Sequence, residues 1–247
     1  MVRVKWRQSP LAQGYEPEGV VSGEGFMKKH IVCYGDSNTH GACKDPNDSA
    51  DHGSRFNENE RWTCLLQKKL GEDYLVIEEG LSGRNCAFDD PIHEGMNGVK
   101  HITPILMSHE PVDLLIIMLG TNDTKAHFGA TPVNIAGAME RLIRKAQSTL
   151  CWGDHGPRIL VVCPPHILDG LYDDEAGLKM GPGCPEKSRA LAKYYRKVAD
   201  SNGCEFMDAE GIAEFNKIDC MHLTSKGHRC LAAALAEKVT GILAAQC

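Results

Sequence analysis

Ser37 closes a short apolar run, Ile31-Val32-Cys33-Tyr34, in a turn that reads Gly35-Asp36-Ser37-Asn38-Thr39-His40-Gly41. A serine at the C-terminal tip of a parallel strand stands where α/β sheets place their ligands. Its hydroxyl is a poor nucleophile unaided. Catalysis there requires a histidine base, a carboxylate to orient it, and donors for an oxyanion. Asp219-Cys220-Met221-His222 offers the base and the acid. On one turn the carboxylate can hold one ring nitrogen while the other faces the serine. The bland alternative, a helix-capping aspartate beside a surface histidine, loses ground once a strand-end serine is present in the same chain.

Oxyanion donors must be rigid N–H groups aimed at developing negative charge. Two stretches qualify. Glu79-Gly80-Leu81-Ser82-Gly83-Arg84-Asn85 follows a second apolar run, and its glycines let backbone N–H groups approach a ligand closely. Leu119-Gly120-Thr121-Asn122-Asp123 follows a third, with the Asn122 amide as a further donor and Asp123 to hold the turn. Seen singly, each is an ordinary Gly/Asn turn after a strand. Both, together with the serine turn, end strands of one expected sheet.

The elements that must position these residues alternate along the chain. The pattern predicts strands over His30–Tyr34, Tyr74–Glu78, Asp113–Leu119, Arg158–Cys163 and Cys204–Met207. The central ones are near-continuous Val, Ile and Leu, as expected when helices cover both faces. Helical spacing falls over Arg61–Leu70, Gly98–His109, Pro132–Cys151, Glu186–Ser201 and Ser225–Ala244. Pro132 suits a first turn with Thr131 as its cap, and Thr224 or Ser225 suits the start of the last helix. Such alternation predicts a parallel, doubly wound, five-stranded sheet in a three-layer α/β/α sandwich. Two long polar segments, Lys44–Glu60 and Pro164–Pro185, follow strand ends and should stand at the ligand side, the second as a lid or binding loop. Residues 1–26 show no sustained period and read as an irregular N-terminal arm, with the domain proper over 27–247.

Composition sets the outer limits. The 247 residues, 42% of them hydrophobic, suffice for one large core, and a formal net charge of −6 argues against a general nucleic-acid or anionic-membrane binder. No apolar run approaches the ~20 residues of a membrane span. The 11 cysteines are odd in number, scattered, and form no C-x-x-C, which fits reduced thiols in a cytoplasmic protein. Cys220, His222 and His228 form the tightest set of metal-ligand types, but Asp219 and His222 have the better use as acid and base.

Taken in order, Gly35-Asp36-Ser37, the Gly83 turn, Gly120-Thr121-Asn122-Asp123 and Asp219-x-x-His222 resemble the ordered blocks of the SGNH, or GDSL-type, hydrolases. The resemblance runs from about residue 30 to the C-terminus. Longer runs are more specific: Ile77–Arg84, Ile116–Lys125 and Asp89-Asp90-Pro91 are similar to the bacterial arylesterase and acyltransferase branch. The resemblance implies a flavodoxin-like fold, Ser37 as nucleophile, His222 as general base, Asp219 as its orienter, and an oxyanion hole from Ser37 N–H, Gly83 N–H and the Asn122 side chain. It implies no metal and no organic cofactor, a small-molecule ester as substrate, acyl transfer to an alcohol or peroxide beside hydrolysis, and assembly into a homo-oligomer as in many branch relatives. Those relatives often carry Leu and Trp where Asn38 and His40 stand, which bears on the pocket's size and polarity, and they lack the first 26 residues.

The expectation is therefore a serine esterase acting on small aryl or short-chain alkyl esters through an acyl-enzyme. A carbohydrate acetylesterase or a thioesterase would use the same site. From other classes, a catalytically silent binding module is disfavoured by the intact set of Ser37, Asn122, Asp219 and His222. A nucleotide- or flavin-binding protein is disfavoured because no G-x-G-x-x-G follows the first strand.

Overall fold

The computed structural model describes residues 27–244; the predicted arm, residues 1–26, lies outside them. Strands β1 (Lys29–Gly35), β2 (Tyr74–Gly80), β3 (Leu114–Met118), β4 (Ile159–Cys163) and β5 (Glu205–Asp208) form one parallel sheet in the order β2-β1-β3-β4-β5. Register aligns Val32 with Ile77 on one side and with Leu115 on the other. This is the flavodoxin-like order, with its topological switch between β1 and β3.

Strand alternation divides the core. Ile31, Cys33, Leu114, Ile116, Leu160 and Val162 face one side and pack with α2 (Trp62–Leu70) and α7 (Ser225–Ala244). Val32, Tyr34, Leu115, Ile117 and Val161 face the other, against α3 (Gly98–Ser108), α4 (Pro132–Gln147) and α6 (Cys184–Ser201). Every residue of β3 and β4 is buried, as two covered faces demand. Thr131 caps α4 with Pro132 behind it, and Asn134 returns a bond to complete a capping box. Thr224 is the cap of α7, its hydroxyl accepting from Gly227 N–H at 2.9 Å.

Two short helices escaped the sequence pattern. Helix α1 (Ser37–His40) is a single turn, and α5 (Glu175–Met180) sits within the segment expected to be loop. Neither is long enough to show a period. Helix α6 also begins two residues earlier than expected, because Gly183, at φ +87°, ends the preceding turn directly before it.

One buried histidine couples this fold to pH. His228 on α7 is fully buried; its Nδ1 accepts the Trp62 backbone N–H at 3.2 Å and its ring meets Phe56 edge-on at 4.8 Å. Burial, helped by the charges of Arg61 and His222, pushes its pKa down to about 3. The unfolded chain takes up this proton below about pH 6.5 and the folded chain refuses it, so stability is lost as pH falls through that window, by up to about 1.4 kcal/mol per unit. Asp36 and Asp123, raised by burial to about 6 and about 7, act with the opposite sign and lose stability as pH rises above about 4. His228→Asn keeps an acceptor for Trp62 and removes the titration. Urea melts between pH 4 and 7 should show the variant gaining on the parent steadily as pH falls; parallel curves would mean that His228 does not set the acid limb.

Candidate active site

Strand β1 delivers the serine. Arg84 Nη1 donates to the Gly35 carbonyl at 3.0 Å, fixing the last residue of the strand, and its guanidinium lies over the Tyr34 ring at 4.0 Å from the centroid. A side chain at Gly35 would collide with Thr39 and with the Met118 carbonyl, so only glycine lets β1, α1 and β3 converge here. Asp36 then caps α1 by accepting from Asn38 N–H at 2.9 Å. Ser37 is the first residue of that helix and is 7% exposed.

Against it stands the segment ahead of α7. His222 Nε2 lies 2.8 Å from Ser37 Oγ, and His222 Nδ1 lies 2.6 Å from Asp219 Oδ2. Burial raises the Asp219 carboxyl, but hydrogen bonds from His222, Asn216 and Met221 overcome it and hold its pKa below the usual value. An ionised Asp219 only accepts, so Nδ1 carries the proton, Nε2 is the acceptor, and the serine hydroxyl donates to it. The other Asp219 oxygen accepts from Met221 N–H at 3.3 Å and His222 N–H at 3.2 Å. Asn216 completes the local frame: its side chain donates to Asp219 at 2.9 Å and accepts from Asp219 N–H at 3.0 Å. Its backbone N–H and side-chain amide both donate to the His222 carbonyl, at 2.8 and 2.9 Å.

The two expected donor loops meet at the same end of the sheet. Asn122 opens a short 3-10 turn after β3, is 8% exposed, and donates from Nδ2 to the Arg84 carbonyl at 3.2 Å, with Asp36 Oδ2 at a weak 3.5 Å. Gly83 holds φ +88°, a conformation that glycine takes without strain, with Met96 packed beside it. Asp123 does hold its turn, accepting the Cys86 backbone N–H at 2.9 Å and so tying the loop after β3 to the loop after β2. Such an array can activate a hydroxyl, take its proton, and meet negative charge on a substrate oxygen.

A family model described as the GDSL-like Lipase/Acylhydrolase family matches residues 33–230. The native aryl esterase of M. smegmatis is 36% identical over 87% of this chain and 100% of its own, with a TM-score of 0.78. A carbohydrate acetylesterase from Sinorhizobium meliloti is 35% identical over the same shares, at 0.77. The chain belongs to the GDSL-like lipase/acylhydrolase family. It is a carboxylic ester hydrolase with the SGNH fold. A lipase/acylhydrolase from Enterococcus faecalis, 18% identical with a TM-score of 0.62, shares that fold. No curated protein sequence matches the chain.

Three buried side chains of this GDSL-family site carry roles that the sequence does not mark: Arg84 behind the serine turn, Asn216 beneath the histidine, and Asn38. Asn38 bears on the pocket differently from expectation. It is 1% exposed, and its amide is turned inward onto the backbone around His222. The group Cys220, His222 and His228 does not converge either, since His222 is engaged at both nitrogens and His228 accepts from Trp62. Among the described residues no cluster of three or more His, Cys, Asp or Glu side chains is placed to hold a metal.

Asp90 secures the two donor loops to each other. Its side chain is fully buried and accepts from Ile92 N–H at 2.9 Å and from Lys125 Nζ at 3.0 Å, with His127 Nε2 at 3.4 Å. Burial disfavours its charge, but the Ile92 N–H and Lys125 prevail and pull its pKa down to about 2. Lys125 itself is only 10% exposed at the side chain. Asp90→Ala strands that ammonium and should cost about 3–5 kcal/mol of unfolding free energy in urea. Asp90→Leu with Lys125→Met should recover most of it. A loss near zero for the single variant would show the pair to be effectively solvated.

Proposed function

We propose that Ser37, His222 and Asp219 form the catalytic triad of a serine esterase, with Ser37 N–H, Gly83 N–H and the Asn122 amide as its oxyanion hole. The observation that carries this reading is the unbroken chain from the Ser37 hydroxyl through His222 to Asp219, at 2.8 and 2.6 Å, at the switch point of the sheet. Ser37 Oγ attacks the ester carbonyl carbon while its proton passes to His222 Nε2. The carbonyl electron pair becomes an oxyanion, and the weak Asn122–Asp36 contact is readily exchanged for it. Collapse re-forms the carbonyl and breaks the bond to the alcohol oxygen, which takes the proton from His222. Water then gives a proton to His222, attacks the acyl-enzyme, and frees the acid and Ser37. Asp219 stabilises the imidazolium in both halves.

The substrate class is a small aryl or short-chain alkyl ester, in keeping with an aryl esterase at 36% identity. Acetylated carbohydrate is the second reading, carried by a relative at 35%. Ser37 and Asn122 are 7% and 8% exposed, a recessed site that favours transfer of the acyl group to a bound alcohol or peroxide beside hydrolysis. Free thiols at all ten described cysteines support a cytoplasmic home.

Ser37→Ala should abolish turnover of an aryl acetate and labelling by a fluorophosphonate while the melting temperature barely moves, since a turn hydroxyl contributes little packing. Retained turnover would remove Ser37 from its role. Asn122→Ala should lower kcat by roughly 10²–10³ with KM nearly unchanged. An effect confined to KM would make Asn122 a substrate-positioning group. For transfer, an aryl acetate with excess primary alcohol should yield the alkyl ester in water. Only free acid at high alcohol would leave a plain hydrolase.

A further inference from the structure

We propose that Asn38 is a positioning residue that sets the separation of Ser37 and His222 by clamping the backbone on either side of His222 to helix α1. The inference rests on the triad reading above. Asn38 Nδ2 donates to the Met221 carbonyl at 3.0 Å, and Asn38 Oδ1 accepts the Leu223 N–H at 2.9 Å. These are the two backbone groups that flank His222, so one primary amide pairs with the chain as a neighbouring strand would. The residue is 1% exposed, and both bonds are shielded from competing water.

Asn38 is itself held at both ends. Its N–H donates to Asp36 Oδ1 at 2.9 Å and its carbonyl accepts from Trp62 Nε1 at 3.1 Å. It therefore transmits the placement of α1 to a segment that belongs to no strand or helix. Among the described residues, the hydrogen bonds joining α1 to Asp219–Leu223 are these two and the Ser37–His222 contact itself. A single hydrogen bond contributes about 1 kcal/mol net, too little to hold a nucleophile and its base together.

The remaining bonds around His222 are local. Asp219 takes the Met221 and His222 N–H groups, and Asn216 takes the His222 carbonyl. The histidine and its acid are thus assembled within their own segment, which packs into the core, and Asn38 supplies the hydrogen-bonded link to the helix that carries the serine. Removing the clamp should separate the two events: the His222–Asp219 pair persists while Ser37 loses its base.

Asn38→Leu keeps the branched outline with bulkier methyl groups and deletes both bonds. Asn38→Asp keeps the acceptor for Leu223 but sets an oxygen against the Met221 carbonyl. With an aryl acetate, both variants should lose roughly 10²-fold in kcat, the scale of a misplacement near 1 Å, with KM within about twofold of the parent. Fluorophosphonate labelling should slow in proportion. The far-downfield proton resonance of the short His222–Asp219 bond should remain in both. Unchanged kcat and labelling in Asn38→Leu would overturn the proposal. So would loss of the downfield resonance together with activity, which would make Asn38 a support of the dyad or of the fold. Failure of the triad reading looks different: the parent protein would then take no label at Ser37.

Discussion

A serine hydroxyl becomes a nucleophile only within hydrogen-bond reach of a base, and the serine and histidine proposed for these roles stand 185 residues apart in the chain. The sheet solves half of that problem. Strand β1, beside β3 at the switch point, ends on Gly35 and places Ser37 at the mouth of the crevice between the oppositely wound halves. No strand carries His222. Its segment lies between β5 and α7 and is shaped by polar side chains, Asp219 and Asn216 among them, that satisfy its own N–H and C=O groups. Where regular structure is absent, side-chain amides and carboxylates do the pairing that a ladder would otherwise do.

Burial of so many polar groups around one crevice has a cost that is visible in their protonation. Asp36 and Asp123 are both buried and both raised, by burial above all, to about 6 and about 7. Arg84, the nearby buried cation, is lowered by the same desolvation and, among the described residues, meets no carboxylate at its fork; it holds carbonyls of Gly35 and Glu79 and covers Tyr34 instead. Neutral pH therefore sits near the titration of two carboxyls that cap the serine helix and tie the loops. Their hydrogen bonds to Asn38 and Cys86 backbone N–H groups are stronger in the charged form, while burial favours the neutral one.

What could be read from the chain was whatever has a short period or a short spacing. Strands β1 to β4 stand out as apolar runs, the long helices by their spacing, and the aspartate and histidine of the proposed dyad by having only two residues between Asp219 and His222. Asn38, Asn216 and Arg84 carried no such mark. Each acts through a backbone group, any residue supplies a backbone group, and so the partner leaves no trace in composition. Asn38 reaches 183 and 185 residues along the chain to Met221 and Leu223. The four-residue α1 was invisible for another reason: it is stabilised by the Asp36 cap and by packing against β2 rather than by its own propensity.

The segment 164–185 shows how the same limit applies to a lid. The segment is expected as a lid or binding loop, yet of its apolar residues Ile167 and Leu171 are fully packed into the core with Cys220, Met221 and Leu223. Leu168 N–H donates to the Cys220 carbonyl at 3.1 Å, so this stretch buttresses the acid–base segment from behind. Leu178, 64% exposed on α5, is turned to solvent. Contact with the opposite loop comes through charge instead: Lys44, a few residues past the serine helix, meets Asp174, the cap of α5, at 3.1 Å. A half-exposed ion pair of this kind contributes little to stability, about 1 kcal/mol at most, and opens easily. On the proposed mechanism, exclusion of water from the acyl-enzyme then rests on the burial of Ser37 and Asn122, beside loops that Asp90 and Lys125 tie together. For the proposed acyl transfer, the rigid side of the crevice, rather than the long segment, has the physical means to favour one acceptor over another.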